Sequence, residues 1–112
     1  MIENYCFGSF MIDGKEYRYD LKIVEGSIIP WVYKRHHTVL MEDLKELLEA
    51  KPEIIIIGIG AYSAVRVPDD VKRSLEAKSI KAIILPTEEA CEEYNKALAD
   101  NRRVAAIMHS TC

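Results

Sequence analysis

A chain of 112 residues, 49% apolar and 29% charged, is long enough for one domain with its own core and needs neither metal nor disulfides to close it. Its formal net charge of -3 and pI near 5.6 argue against broad electrostatic binding to nucleic acid, and no apolar run approaches the roughly 20 residues of a membrane span. Three cysteines, Cys6, Cys91 and Cys112, have no framework spacing and read as free thiols; with no basic, apolar leader at Met1–Tyr5, the expected location is the cytoplasm.

Residues 6–24 read as an antiparallel hairpin around Asp13-Gly14, a strong two-residue turn signal. In the second arm Tyr17, Tyr19, Leu21 and Ile23 alternate with Glu16, Arg18, Asp20 and Lys22, which predicts one buried and one solvated face. Gly26 breaks the run, and residues 28–33 offer a third strand that Pro30 places near an edge. Thr38 is expected to cap a helix to about Ala50, with Leu40, Leu44, Leu47 and Leu48 at helical spacing and Lys51-Pro52 as the stop.

Ile54 to Ile57 is an apolar run without alternation, so it suits a strand covered on both faces. It ends in Gly58-Ile59-Gly60-Ala61-Tyr62-Ser63, a loop of the kind that follows a strand at a ligand site. Pro68-Asp69-Asp70 opens a second helix to about Lys78, with Val71 and Leu75 inward, and residues 80–85 form the next strand. Thr87 is placed to cap a third helix whose stripe is Ala90, Cys91, Tyr94, Ala97 and Leu98, and Val104 to Met108 is the last strand. Strand and helix thus alternate through residues 54–108. The expected fold is a single α/β domain over residues 1–112: three layers, a mostly parallel mixed central sheet with right-handed crossover helices, and an added N-terminal antiparallel β-hairpin.

Parallel strands send the loops after Ile57, Leu85 and Met108 to one edge of the sheet. The candidate ligand or partner edge is therefore Gly58, Gly60, Tyr62, Ser63 and Arg66 from the first loop, Thr87 and Glu88 from the second, and His109 from the third. The glycine loop opens like a dinucleotide fingerprint, but Ser63 stands at the third glycine, Pro68 cuts short any helix after it, and no acidic residue follows at the ribose-binding distance. No cofactor is expected. Ser63 lacks a nucleophile elbow, Cys91 lies on a core-facing stripe near a helix N-terminus, and His109 with Cys112 supplies only two of the four ligands of a structural zinc, so no metal and no catalytic set are assigned. Lys34-Arg35-His36-His37 is a compact cationic loop, read as a solvated turn in preference to an anion site.

Thr87-x-x-Ala90-x-x-x-Tyr94-Asn95, Gly58-x-Gly60, Val67-Pro68, Arg103-Val104 and His109-Ser110-Thr111-Cys112 occur in an order that resembles the Mth-domain proteins, compact α/β domains of unknown molecular function. The motifs span about the last 60 residues, and the hairpin and Trp31 extend the likeness loosely to the whole chain. The terminal His-Ser-Thr-Cys is similar to that of an adipogenesis-associated vertebrate member, and another member assists assembly of mitochondrial respiratory complex I. The resemblance implies a binding or assembly role and adds Asn95 to the candidate edge, where Asn95 and Arg103 would brace the third helix against neighbouring loops.

The expected function is a non-catalytic binding or assembly module with an unidentified protein or small ligand as partner. Its rival is a small-molecule or anion-binding enzyme with a pocket at the carboxyl edge of the parallel strands, where Ser63, Thr87 and His109 would converge. A third reading makes Tyr17, Tyr19 and Trp31 a homo-oligomer contact.

Overall fold

The computed structural model describes residues 1–112 and divides them between two sheets. β1 (Ile2–Cys6), β2 (Ser9–Ile12) and β3 (Lys15–Tyr17) form a three-stranded antiparallel meander. β4 (Leu21–Val24), β5 (Ser27–Pro30), β6 (Ile54–Gly58), β7 (Lys81–Leu85) and β8 (Val104–Met108) form the central sheet in the order β5-β4-β8-β6-β7. β8, β6 and β7 are parallel, and β4 and β5 extend them in antiparallel sense. The expected three-layer α/β domain is present, and β5 with Pro30 is an edge strand as anticipated.

Side chains alternate through the central sheet into two cores. Ile54, Ile56, Ala106, Met108, Leu21 and Ile23 face the meander and α3 (Thr87–Ala99). Ile55, Ile57, Ala105 and Ile107 face α1 (Lys45–Glu49) and α2 (Asp69–Ala77), meeting Leu47, Val71 and Leu75. All of Ile54 to Gly58 is buried, which accounts for a run of isoleucines with no polar beat. The chain steps outward from β6 to β7 through α2 and back across β6 to β8 through α3. Right-handed crossovers in opposite directions put the two helices on opposite faces, where they are found.

Four sequence expectations change. The alternating run from Tyr17 to Ile23 is two strands of different sheets: β3 stops at Tyr17 and β4 starts at Leu21, so the chain leaves one sheet for the other at residues 18–20. A period of two cannot distinguish one strand from two joined end to end. Lys22 therefore does not face solvent but lies under α1, its side chain 8% exposed, with Nζ 2.9 Å from Glu46 Oε1. Contact with Lys22 is the leading reason the Glu46 carboxyl is held below its usual range. A turn at Phe7-Gly8 separates β1 from β2, so the expected hairpin is in fact a three-stranded sheet.

Thr38 does not cap a helix. Residues 37–39 pair with the chain at Arg66: Arg66 N–H donates to His37 O (2.8 Å) and Val39 N–H to Arg66 O (3.0 Å). The helix is correspondingly short, a 3-10 turn over Met41–Leu44 running into α1, and Asp43 starts it by accepting the Leu40 N–H at 2.8 Å. The third expected strand is shorter too, ending at Pro30, and Trp31 beyond it is 4% exposed, which removes it from any outward aromatic patch.

The Lys22–Glu46 pair yields opposite outcomes for its two halves. Glu46→Ala strands a buried ammonium and should cost about 2 kcal/mol, whereas Lys22→Met leaves Glu46 free to hydrate and should change stability by less than about 1 kcal/mol. Urea unfolding of both variants checks the asymmetry.

Candidate functional site

Adjacent parallel strands whose following loops leave toward opposite faces create a crevice at their carboxyl ends, the usual ligand position in open α/β sheets. β6 and β7 are such a pair. Here the crevice is sewn shut by the protein's own groups. Ile59 N–H donates to Leu85 O at 3.0 Å and Thr87 N–H to Gly60 O at 3.1 Å. The Thr87 hydroxyl accepts the Gly60 N–H at 2.8 Å and donates to His109 O at 2.7 Å, and His109 N–H donates to Gly58 O at 2.9 Å. Gly58, Gly60, Thr87 and His109 thus meet, largely through backbone.

Both glycines are explained by packing. A Cβ on Gly58 would lie 2.6 Å from Met108 Sδ and 3.1 Å from Thr87 Oγ1, so a side chain there would displace the buried Met108 side chain and crowd the start of α3. Gly60 has φ +102, and a Cβ would overlap the carbonyl group of Cys112. That overlap arises because the loop holds residues 111–112: Ala61 N–H donates to Thr111 O (2.7 Å) and Ala64 N–H to Cys112 O (2.9 Å). The amides a dinucleotide loop would offer to phosphate are occupied. Thr87 is not a helix cap, since Pro86 holds that position and the hydroxyl spans to the neighbouring loops instead.

The other candidates spread outward from this seam. Ser63 is exposed with φ 58, and Arg66 is exposed with its backbone engaged at residues 37–39. Glu88 is exposed on the first turn of α3. Asn95, farther along α3, clamps β1 by accepting the Ile2 N–H at 2.8 Å and donating to Ile2 O at 2.7 Å. Arg103 Nε donates to Lys51 O at 3.3 Å. Tyr62, 78% exposed, packs its ring against Phe7 of the β1–β2 turn, itself 55% exposed, with centroids 6.0 Å apart. Ser63 stands in solvent, whereas Thr87 and His109 are buried.

Sequence reasoning missed Asp20. Its Oδ1 accepts both the Ser110 N–H (2.6 Å) and the Ser110 hydroxyl (2.7 Å), and its Oδ2 lies 2.9 Å from His109 Nδ1, an approach short in distance but off the line of the ring N–H. Burial pushes the Asp20 carboxyl up, but contact with His109 and the two bonds from Ser110 together hold it below its usual value. The His109 ring, 3% exposed, also contacts Trp31, Tyr33 and His37 at centroid distances of 6.2, 6.1 and 5.5 Å. The His36-His37 loop is therefore packed onto the site, and partial burial of His37, followed by the charges of His36 and His109, holds it below the usual histidine range. Cys91 is no nucleophile: burial first, then Glu88 and Glu92, pushes its thiol up to about 12.

Two variants test the seam. Thr87→Val keeps the shape but strands the Gly60 N–H and the His109 carbonyl, and should cost about 2 kcal/mol in urea unfolding, while Thr87→Ser should retain most of that. Asp20 has a folded pKa below its ordinary 3.8, so its contribution is present above that value and fades as pH falls through the lower folded one. The stability gap between the wild type and Asp20→Asn, about 2 kcal/mol near neutrality, should hold down to about pH 5 and shrink below pH 4.

The family model described as "Protein of unknown function (DUF498/DUF598)" matches residues 2–109. Among solved structures the chain is similar to MT938, with 40% identity, a TM-score of 0.86, and 100% of this chain and 98% of the other covered. It is similar also to the conserved hypothetical protein PH1505 from Pyrococcus horikoshii OT3, at 30% identity and a TM-score of 0.88 over 100% and 99% of the two chains. A Mth938-like domain from Bordetella pertussis shares the fold at 19% identity, with a TM-score of 0.73 and coverage of 97% and 84%. By a match that runs through both sheets and all three helices, this chain belongs to the DUF498/DUF598 proteins of unknown function, the Mth-domain group its glycine-loop and Thr87–Asn95 motifs resemble.

Proposed function

We propose that this protein is a non-catalytic binding or assembly module whose working surface is the carboxyl edge of the parallel strands. The observation that carries the reading is the Phe7–Tyr62 pair, two exposed rings mounted on a hydrogen-bonded seam. Large aromatic side chains on a rigid support are the usual anchors of protein interfaces, since they bury much area for little loss of rotamer freedom. The partner is accordingly a protein with an apolar contact patch. Three unpaired cysteines, two of them exposed, suit a reducing compartment such as the cytoplasm.

The enzyme reading finds less support at this edge. Thr87 spends its hydroxyl on Gly60 and His109, Cys91 stays protonated, and Ser63 has no base beside it. Glu88 and Glu89 on the first turn of α3 also disfavour an anion there.

A photo-crosslinking amino acid at position 62 should give discrete protein adducts in native extract, and the same partner should be lost from pull-downs with Phe7→Ser/Tyr62→Ser at unchanged melting temperature. Equal yields from a crosslinker placed on the outer face of α2, or full recovery of the partner by the double variant, would overturn the proposal.

A further inference from the structure

The opposite edge of the sheet carries a different chemistry. Residues 51–53, 78–81 and 101–103 lead from α1, α2 and α3 into β6, β7 and β8. Each connection turns at a non-glycine residue in the left-handed region, Lys51, Ser79 and Asn101, with φ 51, 59 and 57. Their N–H groups donate back to Leu48, Glu76 and Leu98 carbonyls in the manner of helix C-caps. The same turn made three times sends the following residues toward one place. Most of them border a cleft of about 580 Å³, the largest depression on the molecule.

That cleft is lined by five cations, Lys51, Lys78, Lys81, Arg102 and Arg103, against one carboxylate, Glu53, in a chain whose net charge is -3. Glu53 is already spent. It pairs with Arg102 Nη2 at 3.4 Å and accepts the Arg103 N–H at 2.9 Å, and these contacts, the backbone one first, hold its carboxyl below the usual range. Lys51, Lys78 and Lys81 pair with no carboxylate.

Basic residues at helix C-termini have an ordinary explanation, since each helix end carries up to about half a negative charge. Three ends supply at most about 1.5 negative charges, and α1, only five residues long, supplies less than its share. A surplus of four positive charges exceeds that. The excess has no carboxylate partner within the fold.

We infer that this amino-edge cleft is a binding site for a small anion carrying several phosphate groups. The cations stand on three separate loops around a space within the ~300–1,000 Å³ range of small-molecule sites, where an extended acidic chain would need a longer groove. Phosphate oxygens match several ammonium groups and a guanidinium at once. Leu48, Pro52 and Ile80 supply a limited apolar wall for the body of the ligand. The site is on the far side of the sheet from the Phe7–Tyr62 surface, so either can fail without the other.

Inorganic tripolyphosphate is the probe, titrated calorimetrically into the intact chain at low salt and followed by amide chemical shifts. Saturable one-to-one binding is expected, with shifts concentrated at residues 51–53, 78–81 and 102–103, weakening as salt rises. Lys81→Glu and Lys78→Glu, both at exposed positions, should each weaken binding about tenfold while the melting temperature stays put. No binding at low salt, shifts scattered over the surface, affinity unchanged in both lysine variants, or tighter binding of an Asp/Glu-rich peptide than of tripolyphosphate would each overturn the inference.

Discussion

The carboxylate of Asp20 ties the step between the two sheets to the segment that follows β8. It stands in the three-residue step between the two sheets, and its acceptor atoms take hold of Ser110 and His109 some ninety residues away. Its own backbone carbonyl accepts the Trp31 N–H at 2.8 Å, fixing the exit from β5. Ser110 O in turn accepts from Gly8 N–H and the Tyr5 hydroxyl at 2.7 and 2.8 Å, so the meander is anchored to the same short segment. Remove the charge from Asp20 and the meander, the end of β8 and the histidine loop lose their common reference.

The segment 109–112 works as a seam because it has little side-chain volume of its own beyond His109. Its carbonyls and amides are used by the meander on one side and by the glycine loop on the other. The topology that in related architectures leaves a crevice for a cofactor is here completed by protein backbone. Gly58 and Gly60 are needed for that completion, one to admit Thr87 and Met108, the other to admit Cys112. A glycine pair after a buried strand therefore marks close approach; what approaches is decided elsewhere in the chain.

Much of the central sheet was legible because its signals are local. The isoleucine run, the proline-led start of α2 and the stripe of α3 each sit within one element, and their boundaries match closely. The meeting of Gly60, Thr87 and His109 was legible too, since parallel strands share a carboxyl edge whatever their order. What could not be read depended on distant partners. Lys22 looks like a surface residue until α1 covers it, and Thr38 looks like a cap until Arg66 claims its neighbours. Asp20 gave no local sign, because nothing nearby distinguishes it from Glu16 or Arg18 in an alternating run. The basic cleft was hidden for the same reason: its five cations lie in three short stretches that only the shared strand direction assembles.

The position of β8 has a consequence for how the protein is made. It is the last strand in chain order yet lies between β4 and β6 in the middle of the sheet. Until residues 104–108 leave the ribosome, β4 and β6 each present a bare hydrogen-bonding edge, and the Ile54–Ile57 face has no neighbour on one side. The nascent chain is thus two half-sheets waiting for a wedge, sticky along the two edges that must not meet each other, and its exposure to misassembly lasts until β8 is inserted.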